Sequence, residues 1–114
     1  MTKLVIHIFH DDPTSLAFAG DLAERVRQVK AERGVDLEVY VSGPARQALL
    51  NPAFTAFNDR IEVLTCDGIP VGACLSTVGA QDAADALKAR GLRDEDARDA
   101  FVRFALEGAT VVSF

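Results

Sequence analysis

Strand-like and helix-like segments alternate along this chain, no hairpin turn joins any two strands, and the first strand is apolar on both faces. Together these predict an α/β fold, a three-layer α/β/α domain around a mainly parallel sheet of four or five strands, because parallel neighbours need helical crossovers that cover both faces. The order read from the residues is β-α-β-α-β-α-α-β. At 114 residues, with no linker, repeat or low-complexity stretch, residues 1–114 make a single domain.

Residues 3–9 are a continuous apolar, β-branched run broken only by His7, as expected of a central parallel strand. His10-Asp11-Asp12-Pro13 is turn and cap chemistry, with Asp12 as N-cap and Pro13 at the first helical position. The helix that follows runs to about residue 32, with Leu16, Ala19, Ala23, Val26 and Val29 on its inner face. Gly34 is the left-handed stop. Residues 35–41 alternate with period two, and polar Asp36 and Glu38 predict a strand nearer the edge than the first. Ser42-Gly43-Pro44 ends it, and residues 45–50 form a short helical turn.

Arg60-Ile61-Glu62-Val63-Leu64-Thr65 has strand propensity, yet Phe54, Phe57, Ile61 and Leu64 recur at helical spacing and Asp67-Gly68 makes a good stop, so this stretch reads as helix. Residues 69–73 are a short buried strand ending at Cys74. Helices over 81–90 and 94–106 follow, the second with Ala97, Ala100, Phe101, Phe104 and Ala105 inward, and residues 109–114 are the last strand.

Composition narrows the function. With 49% hydrophobic and 25% charged residues, a net charge of −5 and no Lys/Arg run, the chain lacks the basic stripe of a nucleic-acid partner. No stretch approaches the roughly 20 apolar residues of a membrane span, and the start leads straight into a strand without a cleavage signal, so a cytoplasmic protein is expected. In a reducing compartment Cys66 and Cys74 read as thiols. Two histidines and two cysteines lack zinc spacing and no phosphate loop is present, so neither metal nor cofactor is expected.

Ligands of a parallel α/β sheet bind at the carboxyl ends of its strands, which makes Cys74 the first candidate for chemistry. A thiolate is the reactive form, and Ser76 or Thr77 can cap the next helix so that its free N–H groups face the sulfur. His10, Asp11 and Asp12 follow the first strand, and Ser42 and Gly43 the second, so parallel topology brings them to the same end as candidates to line the site. The plain alternatives are a cysteine that fills core volume, a polar loop with a helix cap and a tight turn. His7 reads as a satisfied core histidine and Cys66 as packing, with a regulatory Cys66–Cys74 disulfide as the less favoured reading.

Gly68-Ile69-Pro70-Val71-Gly72-Ala73-Cys74 resembles the cysteine segment of the DsrE/DsrF-like family, small α/β proteins that include sulfur-relay subunits. Ala109-Thr110-Val111-Val112-Ser113-Phe114 after Glu107-Gly108 is similar to that family's last strand, and an Asp-Asp-Pro turn after the first strand is typical of it. The resemblance spans nearly the whole chain. It implies a flavodoxin-like, DsrE-like arrangement, a persulfide on Cys74, sulfur donor and acceptor proteins as partners, and a homo-oligomer, commonly a trimer or hexamer. One departure stands out: Gly91-Leu92-Arg93-Asp94 leaves almost no room for the short strand that family members carry between the last two helices. Two functions of different class follow, a sulfur carrier and a non-catalytic oligomeric domain that binds a small ligand or a protein partner in a strand-end cleft.

Overall fold

The computed structural model describes residues 2–75 and 81–114. Five strands, β1 (Thr2–Ile8), β2 (Val35–Val41), β3 (Val71–Ala73), β4 (Arg93–Asp94) and β5 (Thr110–Ser113), form one sheet in the order β4-β3-β2-β1-β5. Every pairing is parallel. The helices are α1 (Pro13–Arg33), α2 (Ala45–Leu50), α3 (Thr55–Cys66), α4 (Gln81–Ala89) and α5 (Ala97–Leu106).

Local chemistry sets the boundaries of α1. Asp12 accepts a hydrogen bond from the Ser15 amide at 2.9 Å, Pro13 follows it, and Gly34 at φ 69° turns the chain out in the left-handed conformation that glycine takes without strain. The ambiguous stretch before Cys66 is helical, and its buried residues Phe57, Ile61 and Leu64 are those of the helical stripe.

Three expectations need correction. First, β2 is the middle strand of the sheet, not one nearer the edge than β1, and Glu38 on it is only 1% exposed. Glu38 marks a buried ion cluster instead of a wet face, and only Asp36, near the start of the strand, is exposed. Second, there is room for a strand between the last two helices. Arg93 and Asp94 pair with Gly72 and Ala73 as a two-residue edge strand, which makes the sheet five-stranded. Third, α5 therefore starts at Ala97, with Asp96 accepting from the Arg98 amide as its cap, and of its inward set Ala100 and Phe104 are buried, Phe101 turns its ring onto His7 and Tyr40 while 37% exposed, and Ala105 is exposed.

From β1 to β4 the chain steps across the sheet in one direction, then returns to place β5 on the far side of β1. Right-handed crossovers in opposite directions must pass over opposite faces of a sheet. Accordingly, residues of α1 to α4 join one core with Ile6, Ile8, Val39, Val71 and Ala73, while α5 packs Ala100 and Phe104 on Val5 and Tyr40 behind it. One face carries four helices and the other one.

Glu38 points to the α5 face and is held there by cations from three elements. Lys3 Nζ lies 2.6 Å from it, Arg93 Nη2 3.4 Å, and Arg103 grips both carboxylate oxygens through its two terminal nitrogens. Burial alone would raise the Glu38 pKa, but hydrogen bonds from Arg103 and Lys3, with their charge, outweigh it and hold the group below the usual carboxylate range.

Glu38→Gln should lower unfolding stability by roughly 3 kcal/mol, since it leaves a partly buried cation cluster without its central charge. A folded-state value below the unfolded one gives stability that is complete above about pH 4.3 and is lost as pH falls through the folded value. Urea denaturation from pH 3 to 7 checks both: the variant should lose less stability on acidification than the native protein does.

Candidate functional site

The strand reversal locates the site. The connection leaving β3 passes through α4 on the four-helix face, and the one leaving β4 passes through α5 on the other. Adjacent strands whose exits part to opposite faces leave a crevice at their carboxyl ends, the usual ligand position in open α/β sheets. Cys74 follows β3 there, and Glu95 follows β4.

Cys74 is a half-buried thiol, in no disulfide, whose main chain is held on both sides. The Glu95 amide donates to the Ala73 carbonyl at 3.1 Å, and the Leu75 amide donates to Asp94 Oδ1 at 3.1 Å. Arg46, at the start of α2, donates from Nη1 to the Cys74 carbonyl at 3.0 Å and from Nε to the Gly43 carbonyl at 2.9 Å. Sequence reasoning missed Arg46, because nothing local marks an arginine of a short helix as the neighbour of a cysteine 28 residues on.

Beside the thiol, one row of registered residues crosses the α5 face: Ser113, His7, Tyr40, Gly72 and Arg93. Gly72 makes room for its neighbour, since a Cβ there would lie 3.3 Å from Tyr40 Cδ1. Over that gap the Tyr40 hydroxyl donates to the Glu95 carbonyl at 2.7 Å. Burial, then the negative charges that Cys74, Glu95 and Asp96 can carry, push the Tyr40 pKa well up, so it remains a neutral donor.

His7 joins three strands. Its Nε2 lies 2.6 Å from Ser42 Oγ and its Nδ1 2.9 Å from Ser113 Oγ, so a neutral ring satisfies one serine as donor and the other as acceptor. Phe101 stands edge-on to the ring at 4.9 Å and Tyr40 stacks at 6.2 Å. It is a satisfied core histidine, with a pKa lowered first by burial and then by the positive charge of His10.

The other sequence candidates divide. Ser42 directly follows Val41, the register partner of Ala73, so it and Cys74 end neighbouring strands. Gly43, at φ 59°, lies under the Phe9 ring, where a Cβ would come within 2.4 Å of Phe9 Cε1. His10, Asp11 and Asp12 are exposed above β1, two strands from β3 and so roughly 10 Å across the sheet, and Asp12 is engaged as the α1 cap. Ser76 and Thr77 lie outside the described residues. Cys66 is exposed at the end of α3, against Asp67 and Arg27. Among the described residues no three His, Cys, Asp or Glu side chains converge to hold a metal, and no helix is long and apolar enough to cross a membrane.

These features define a three-layer α/β/α domain with an all-parallel five-stranded sheet and a thiol at its strand-end crevice. The same fold recurs in solved structures. BT1422 from Bacteroides thetaiotaomicron, a conserved protein of unknown function, matches with a TM-score of 0.76 and 18% identity over 98% of this chain and 94% of that one. The ychN protein from E. coli matches at 0.67 and 18% identity, and MTH1491 from Methanobacterium thermoautotrophicum, also of unknown function, at 0.67 and 21%, each over 100% of both chains. At these identities the likeness is one of fold. No protein-family model and no curated protein matches the sequence.

An NMR titration should place the His7 midpoint below the ordinary histidine value of about 6.5. With the folded value the lower one, the unfolded chain binds more protons, so the His7 share of stability is complete above about pH 6.5 and falls as pH drops through the folded value. Ser42→Ala or Ser113→Ala leaves one ring nitrogen without its partner and should cost about 1–2 kcal/mol in denaturant melts.

Proposed function

We propose that this chain is a DsrE/DsrF-like sulfur carrier of the cytoplasm, in which Cys74 holds sulfane sulfur as a persulfide between a donor and an acceptor protein. The observation that carries the reading is the position of Cys74: a half-buried thiol at the crevice where the exits of β3 and β4 part. Its cysteine segment supports the same reading through its resemblance to that family.

The chemistry is thiol exchange. The Cys74 thiolate attacks the outer sulfur of a donor persulfide, forming a new S–S bond as the donor's own S–S bond breaks and its thiolate leaves. An acceptor thiolate then attacks the outer sulfur on Cys74, and the electron pair returns to Cys74. The two steps move one sulfur atom with no net oxidation. Arg46, already hydrogen-bonded to the Cys74 carbonyl, brings a cation to the region where the outer sulfur of a persulfide carries negative charge.

The carrier is further proposed to act as a homo-oligomer of three or six chains. Support comes from the lightly covered face, where Phe9, Phe101, Val102 and Leu106 are exposed on and beside α5. Sedimentation equilibrium should give a mass three or six times 12.2 kDa, and a species of 12.2 kDa at micromolar concentration would remove the claim.

Mass spectrometry after incubation with a persulfide donor should show the gain of one sulfur on the peptide holding Cys74, reversed by an acceptor thiol and lost in Cys74→Ala. A folded protein that takes up no sulfur there sinks the carrier and leaves a non-catalytic domain that binds a small ligand or a protein in the same crevice.

A further inference from the structure

The corner that follows β4 holds Cys74 more fully than a two-residue strand requires. Three hydrogen bonds fix the two peptide groups that flank the thiol: the Ala73 carbonyl is held by the Glu95 amide, and the Cys74–Leu75 peptide by Arg46 at its carbonyl and by Asp94 Oδ1 at its amide. Glu95 is itself tied at both ends. Its carbonyl accepts from Tyr40, and its carboxylate takes two hydrogen bonds from Arg103, at 2.8 and 3.0 Å, while Arg103 also grips the buried Glu38. The corner thus connects the thiol to the interior of the sheet.

Two of these contacts are made by side chains, Arg46 and Asp94, and the one from Asp94 is the least explained by folding. Asp94 sits on an exposed edge strand, its other oxygen is 3.9 Å from Lys88 Nζ, and its side chain is 37% exposed. An exposed carboxylate that accepts a backbone amide does little for a core. Together with Arg46 on the carbonyl of the same peptide, it fixes the torsion of the chain just after Cys74, and with it the direction in which the Cys74 side chain leaves the backbone.

We propose that Asp94 is a positioning residue for Cys74: by accepting the Leu75 amide it holds the thiol in the orientation that exchange with a protein-borne persulfide needs. The inference rests on the sulfur-carrier reading, since in-line attack on an S–S bond is sensitive to direction. A small alkylating agent approaches from any open side and is limited by access. Loosening the corner should therefore move the two reactions in opposite directions.

The test compares native protein, Asp94→Ala and Asp94→Asn, with rates read on the Cys74 peptide by mass spectrometry and folding checked by circular dichroism. In Asp94→Ala, alkylation by iodoacetamide should rise roughly threefold as the local chain opens more often, while sulfur uptake from a persulfide-bearing protein should fall about tenfold through lost alignment. Asp94→Asn keeps the Oδ1 acceptor and should stay within about twofold of native in both, because hydrogen bonding and not charge is the operative contact. A merely structural role would lower the melting temperature without splitting the two rates. The proposal is overturned if Asp94→Ala matches the native rates, if both rates move the same way, or if Asp94→Asn is as impaired as Asp94→Ala. Should native protein take up no sulfur at all, the carrier reading fails and this inference fails with it, whereas uptake by native protein that Asp94→Ala leaves unchanged overturns the inference alone.

Discussion

A carboxylate in the middle strand of a parallel sheet has to be neutralised where it stands, and in this protein that need organises one whole side of the molecule. Glu38 is 1% exposed and faces the side of the sheet that a single helix covers. Its charge draws Lys3 from β1, Arg93 from β4 and Arg103 from α5. A buried pair of this kind adds less net stability than an apolar replacement of equal volume, since the desolvation of both charges offsets their attraction. What it supplies here is geometry: one carboxylate accepts from three elements that lie far apart in sequence, and Arg103 ties α5 to both of its oxygens. Arg103 then reaches on to Glu95, so the position of the helix and that of the corner after β4 are set by the same guanidinium.

Most of the fold was legible because its signals are local. The Asp12 cap, Pro13, the Gly34 stop, the helical stripe of Phe57, Ile61 and Leu64, and the apolar β1 each lie within one turn or one strand, where periodicity and capping chemistry apply directly. The misread parts depend on distant partners. Glu38 looked like a residue of a wet edge because its compensating arginine lies 65 positions away. The strand at Arg93 and Asp94 has no propensity of its own, and exists because β3 offers an open edge to whatever chain passes it. The inward set assigned to α5 failed at Ala105 for a related reason: the helix lies on a narrow strip of sheet, so fewer of its residues are covered, and Phe101 stays 37% exposed even with its ring on His7 and Tyr40.

The candidate site was legible to the same degree. Cys74 could be placed at a strand end from its flanking residues, and Ser42 and Gly43 from the turn that closes β2. Gly72 carried a signal that went unused, for a glycine inside a strand marks close approach by a neighbour, here the Tyr40 ring. Arg46 and Asp94 carried none. His10, Asp11 and Asp12 share the sheet end with Cys74, but strand order, which propensities do not give, puts β2 between them.

Strand order also explains why the polar machinery gathers on one face. The reversal after β4 sends α5 alone across the back of the sheet, and a single helix cannot exclude water from five strands. The opposite face, under four helices, is closed with aliphatic side chains. Behind it, the polar residues on the α5 side are joined to one another or to the corner after β4 by hydrogen bonds: His7, Ser42 and Tyr40, which are buried, and Ser113, which is exposed. The half-buried Cys74 emerges at the strand end beside this face. The same asymmetry leaves Phe101, Val102 and Leu106 exposed on α5, within the element that Arg103 fastens to Glu38. Arg103 thus fastens the apolar helix to the buried carboxylate and, through Glu95, the corner after β4 as well.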